Sequence, residues 1–133
     1  MLRERVSVAD IPDPDDARVG SQCIRVGEML FISGQIAYRN GTLATAAGDA
    51  LEQCRQTLRN VQAFVEKAGG TMDNIVALDI FLRDIRYRPA AIKARSEFFA
   101  APGPSATVVG GVDFAFEDIL VEISAIAVLP KAG

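Results

Sequence analysis

Glu122 stands in the run Leu-Val-Glu-Ile-Ser, on a strand face that alternation would have it share with Leu120, Ile126 and Val128. A carboxylate held among aliphatic side chains without a partner has its charged form disfavoured. Its pKa rises toward the range in which it can pass protons near neutrality. The same spacing also fits a glutamate pointing into solvent at a sheet edge. Ser33-Gly34-Gln35 interrupts an otherwise apolar strand, and a glycine there marks either a bulge or bend, or a close approach of backbone to a ligand. Pro104-Ser105-Ala106-Thr107 opens a later strand; it either turns backbone N–H groups toward a ligand or simply starts the strand. Eleven of the 14 basic residues are arginine, the side chain best shaped to hold carboxylates and phosphates. Most of them, Arg55 and Arg59 included, read as solvated surface.

Other chemistries are excluded by what is missing. The chain has no histidine, which removes imidazole bases, Ser-His and Cys-His pairs, and every His-containing metal site. Cys23 and Cys54 lie far apart with no metal-ligand spacing, so no metal is expected, and two buried reduced thiols are favoured over a disulfide. Seventeen acidic residues against 14 basic ones give a net charge of −3, the wrong sign for a binder that neutralises phosphates. No tryptophan and only nine aromatic residues argue against base stacking, so no nucleic-acid partner is expected. The apolar runs at 75–82 and 119–129 are short and broken by Asp79, Glu122 and Ser124. No membrane partner is therefore expected, and a cytoplasmic location is.

The elements that must position these residues form one domain over 1–133. Residues 3–8 suit a short strand, and Asp-Ile-Pro-Asp-Pro-Asp-Asp at 10–16 reads as an acidic, solvated lead-in loop. Strands are predicted at 22–26 and 28–36, with Asn40-Gly41 as a turn. Leu51, Cys54, Leu58, Val61, Val65 and Ala68 step by threes and fours, which predicts a helix over about 46–68, stopped by Gly69-Gly70. A strand at 74–83, a second helix from Pro89 to about Phe99, and strands at 106–112 and 119–129 complete a β-β-β-α-β-α-β-β order. That is an α+β sandwich, with both helices on one face of a mixed sheet of five or six strands. In the last strand Ile119, Val121, Ile123, Ala125 and Ala127 form one face, while Leu120, Glu122, Ser124, Ile126 and Val128 form a second, also largely apolar. Helices cover only one face, so the other predicts self-association.

LFISGQI at 30–36, EQCRQTLRNVQAFVEKAGG at 52–70, IVALDIFLRDI at 75–85, SEFFAAPGPSAT at 96–107 and ILVEISAIAVLP at 119–130 carry a family resemblance. In order and spacing they resemble the Rid or YjgF-type reactive-intermediate deaminases, also labelled endoribonuclease L-PSP, over about residues 19–130. The resemblance implies a chorismate-mutase-like fold and a homotrimer whose sheets pack into a central barrel, with ligand pockets between subunits. It implies hydrolysis of 2-imino acids, such as 2-iminobutanoate, to 2-oxo acids and ammonia, with no metal or cofactor. In that scheme an arginine of a PAR[ST]-like motif clamps the substrate carboxylate, and a strand glutamate activates water.

Carried over residue by residue, the resemblance puts Glu122 at the water-activating position and Gly34 at the pocket glycine. Val108 takes a position whose backbone contacts ligand, next to Thr107. Ala106 stands where the clamp arginine would be, Gly20 in Val-Gly-Ser-Gln where a tyrosine would be, and Ile92 where an asparagine sometimes is. Losing a buried carboxylate–guanidinium contact costs on the order of 2–5 kcal/mol of binding. The resemblance thus implies a cofactor-free hydrolase or deaminase for an imine, enamine or related compound less anionic than a 2-imino acid. Arg95 and Arg18 are the candidate substitutes for the missing guanidinium. The alternative is a non-catalytic trimer that binds a small metabolite.

Overall fold

The computed structural model describes residues 2–131. Its main sheet has six strands: β1 (Glu4–Arg5), β2 (Cys23–Val26), β3 (Met29–Gln35), β6 (Ile75–Leu82), β7 (Ser105–Val109) and β8 (Val121–Val128). They lie in the order β1-β2-β3-β8-β6-β7. β4 (Tyr38–Arg39) and β5 (Thr42–Leu43) form a separate hairpin. Pairing is antiparallel throughout, except that β7 runs parallel to β6, and the crossover between those two carries α2 (Arg88–Phe98). The α+β reading with both helices on one face holds: α1 (Ala50–Lys67) packs on β3, β8 and α2.

Helix α1 starts at Ala50 rather than 46. Gly48 has φ +76°, a conformation that turns the chain before the helix begins. Asp49 then caps it by accepting from the Glu52 N–H at 3.0 Å. The predicted apolar stripe is present, with Cys54, Leu58, Val61 and Val65 buried and Phe64 added to it. A side chain as large as Phe64 or Leu58, fully buried, contributes about 2 kcal/mol. Gly69, at φ +93°, ends the helix. Both cysteines are reduced and buried in this core, and burial pushes each thiol up to about 12.

Four expectations need correction. The first strand is only Glu4–Arg5, because the chain bends away into a bridge between Val8 and Ile11. Ile11 is itself core, so the acidic lead-in is not wholly solvated. Asn40-Gly41, by contrast, makes the expected turn, closing a hairpin of its own with φ of 52° and 80°, the left-handed pair that a type I′ turn requires. β7 stops at Val109 before Gly110, where a Cβ would lie 2.6 Å from that of Ile85. Finally, β8 begins at Val121, so Leu120 lies just before the strand, buried, with its N–H donating to Gln53 Oε1 at 2.9 Å.

From Val121 onward the alternation is as predicted. Val121, Ile123, Ala125 and Ala127 face the helices, and Glu122, Ser124, Ile126 and Val128 face away. The outward face also carries Met29, Phe31 and Val128, which are 40%, 41% and 40% exposed.

Candidate functional site

Glu122 owes its surroundings to a break in the ladder between β3 and β8. Ile32 pairs with Ala125 and Gln35 with Ile123, so Ser33 and Gly34 together oppose Ser124. That two-against-one count is a bulge, which bends the strand and re-aims its side chains. The Glu122 side chain lies over the bulge, and a Cβ on Gly34 would sit 2.6 Å from Glu122 Oε2 and 2.7 Å from Cδ. Gly34 therefore marks a bulge, one of the readings its sequence position offered, and it also lets the Glu122 side chain approach the backbone.

Beside this pair opens a cavity of about 350 Å³, lined by Gln22, Gly34, Gln35, Tyr38, Phe116 and Glu122, with residues 10–12 along one wall. Gln35, buried, donates through Nε2 to Gln22 Oε1 (2.9 Å) and to the Ser33 carbonyl (3.2 Å). Gln22 Nε2 in turn donates to the Pro12 carbonyl at 3.0 Å. This chain of amides fixes the lead-in against the bulge. On the opposite wall Tyr38 stacks on Phe116 with centroids 5.1 Å apart, and its hydroxyl donates to Asp118 at 2.7 Å.

Buried polar residues of α1 hold both walls. Asn60 Nδ2 donates to the carbonyls of Ile36 and Tyr38, at 2.8 and 3.0 Å. Gln53 donates to the Asp118 carbonyl at 2.8 Å and accepts from the Leu120 N–H at 2.9 Å. Arg83 secures the same loop by donating to the Ile119 and Phe116 carbonyls, at 2.8 and 3.0 Å.

The lining includes no lysine or arginine. Burial alone raises the Glu122 carboxyl above the usual carboxylate range. A half-buried base without a cationic partner keeps its proton affinity, and can take a proton from water or return one to a leaving group. Among the described residues no group of three or more acidic, cysteine or histidine side chains is gathered as a metal cage.

The other sequence-derived positions lie elsewhere in the chain. Ala106, Thr107 and Val108 are on β7, in register with Leu78, Asp79 and Ile80 of β6. Glu122 pairs with Phe81 on the far side of β6. Two strand spacings, about 10 Å, thus separate Glu122 from β7, too far for one small ligand to bridge within one chain. β7 is the last strand of the sheet, so its outer backbone groups have no strand partner among the described residues. Gly20 lines a shallow depression with Arg3, Arg5 and Arg18. Arg18 is taken there by Asp16, at 2.9 and 3.0 Å. Ile92 lines a third groove, beside Arg95.

Sequence reasoning missed Gln22, Tyr38, Phe116 and residues 10–12, and it gave Gln35, though part of the Ser33-Gly34-Gln35 motif, no role of its own. Two of only nine aromatic residues next to turn sequences were the available signal. Gly34→Ala tests the approach directly. The added methyl must push the Glu122 carboxylate aside, and a displacement near 1 Å at a reacting group costs on the order of 100-fold in rate. A folded Gly34→Ala protein with undiminished turnover on any substrate of this site would show that Glu122 needs no such placement.

The family described as endoribonuclease L-PSP matches residues 13–129 of the chain. A RutC family protein of Pyrococcus horikoshii is 34% identical over 128 residues, covering 95% of this chain and 98% of the relative. A protein of Dermatophagoides farinae described as 2-iminobutanoate/2-iminopropanoate deaminase is 32% identical over 109 residues, 82% of this chain and 84% of that one. The crystal structure of a protein of unknown function from Pseudomonas aeruginosa superposes with a TM-score of 0.87 at 35% identity, covering 97% of this chain and 94% of the other.

Proposed function

The chain belongs to the Rid/YjgF family, also described as endoribonuclease L-PSP, and from that membership we propose that it hydrolyses a small imine or enamine, with Glu122 activating the water. The observation that carries this reading is the unpartnered, half-buried Glu122 carboxylate lying over Gly34 at a cavity without cations. As the oxygen of water bonds to the imine carbon, Glu122 takes one of its protons and delivers it to the imine nitrogen. The resulting carbinolamine collapses: its hydroxyl proton moves to nitrogen by the same carboxyl, the C–N bond breaks, and ammonia and a carbonyl compound leave. No cofactor enters this scheme. The reaction type is the one named for the Dermatophagoides farinae relative; the substrate differs, because Ala106 offers nothing to a carboxylate next to the reacting carbon.

The working unit in this proposal is a homotrimer. The apolar outward face of the sheet, with Met29, Phe31 and Val128, supports association. So does the distance between Glu122 and β7: a second subunit can bring its β7 edge, with Ala106, Thr107 and Val108, to the Glu122 cavity of the first. The alternative, a trimer that only binds a metabolite, is favoured by one observation, the replacement of three recognition positions by Ala106, Gly20 and Ile92. Sedimentation should give a mass three times the 14.2 kDa chain. Ammonia release from imines generated in situ should track that species on dilution. A monomer that releases ammonia at full rate removes the shared cleft; a trimer that releases none from any imine favours the binding reading.

A further inference from the structure

The third groove, about 390 Å³, lies between α2 and the segment leading to β7 and is lined by Ile92, Arg95, Ser96, Phe99 and Pro104. Arg95 is half-buried there, and its only side-chain hydrogen bond among the described residues runs from Nε to the Ala91 carbonyl of its own helix, at 3.3 Å. Arg3, Arg25, Arg59, Arg83 and Arg88 form no ion pair either, but among the half-buried arginines of the described residues only Arg95 has a single side-chain hydrogen bond and no ion pair. Arg18 and Arg86 close on Asp16 and Asp84. Arg83 spends Nε and Nη2 on carbonyls. Glu97, two residues beyond Arg95, is held by Arg55 through two bonds of 2.7 Å. No carboxylate among the described residues forms an ion pair with Arg95. Burial and the charge of nearby Arg88 both act against its own charge. A guanidinium set between apolar walls, beside a second cation and with its Nη groups turned to no acid, is built to receive an anion.

We propose that Arg95 anchors the carboxylate of a small acid whose apolar chain lies along Ile92, Phe99 and Pro104. Resting on the imine-hydrolase reading, the substrate is then an imine or enamine whose carboxylate is separated from the reacting carbon by that chain. The placement supports the separation. Pro104 is two residues before Ala106, so the groove opens at the start of the β7 edge. Arg95, however, projects from α2 rather than from the strand. In this proposal an acid gripped there holds its carboxylate away from a carbon at the strand edge. Arg95 is thus a positioning residue that sets substrate length.

The test is binding, not turnover. Isotope-labelled intact protein is titrated with hexanoate and, separately, with hexanamide, following the Ile92 methyl signal. Hexanoate should saturate that signal and bind about tenfold tighter than the uncharged amide, as expected for a charge-assisted pair at a half-exposed site. Arg95→Gln should erase the preference and Arg95→Lys should keep part of it. Should Arg95→Gln fail to fold, the wild-type comparison and the lysine variant decide the matter. Equal affinity for acid and amide in the wild type overturns the proposal. So does hexanoate binding unchanged by Arg95→Gln, or the absence of any saturating shift at Ile92. All these outcomes are read without catalysis, so they leave the role of Glu122 to be judged on its own assay.

Discussion

Replacing Glu122 by glutamine lowers kcat for imine hydrolysis by about 10²–10⁴-fold, the contribution of a placed general acid–base group, and leaves ligand affinity nearly unchanged. Glutamine keeps the shape of the side chain over Gly34, where it lies within 2.6 Å of a would-be Cβ, but it cannot accept the water proton. The same residue sets the pH profile. Burial raises the Glu122 carboxyl above the usual range, so wild-type kcat should climb with pH through a midpoint above that of an ordinary glutamate. Stability has the opposite sign. A carboxyl with a raised folded-state pKa favours the fold while protonated, and that contribution is fully present below the unfolded-state value. It is lost as pH rises through the raised value. Glu122→Gln should therefore flatten the decline in stability over that window. Equal turnover in the two proteins between pH 5 and 8, a range of roughly ordinary working conditions, would end the catalytic assignment.

Periodicity carried the parts of this molecule in which one physical force decides the outcome. The stripe from Cys54 to Val65 and the alternation along β8 are both consequences of apolar burial, and both stand in the structure. The bulge at Gly34 was legible because a glycine weakens a strand interior unless a bend or a close approach requires it. The walls of the Glu122 cavity were not, because polar side chains bonded across long sequence separations hold them. Gln53 and Asn60 look like ordinary helix-surface residues in the sequence, yet each binds backbone more than 20 positions away. The lead-in was misjudged for the same reason. Its prolines and aspartates suggest a solvated loop, whereas Gln22 and the packing of Ile11 draw it against the bulge. The separation of Ala106 from Glu122 also escaped the sequence, because it depends on β6 lying between β8 and β7.

The other large effect concerns Ala106. The wild type should hydrolyse 2-iminobutanoate slowly, and Ala106→Arg should raise kcat/KM for it on the order of 30-fold, the lower end of what a desolvated carboxylate–guanidinium pair is worth. Ala106 is exposed on the edge strand, so a long side chain there meets no core packing and, in the trimer we propose, can reach into the next subunit's cavity. The gain is held to the lower end because Gly20 and Ile92 leave the rest of the pocket unlike that of a 2-imino acid deaminase, and a new guanidinium needs neighbours to hold its geometry. The double variant with Arg95→Gln separates the two arginines. If Arg95 serves a distal carboxylate, the gain on 2-iminobutanoate is the same with or without it, since that substrate is too short to reach α2. If the wild type instead hydrolyses 2-iminobutanoate rapidly and Arg95→Gln alone abolishes the activity, Arg95 grips the carboxylate next to the reacting carbon. Ala106 is then no defect, and the short acids return as substrates.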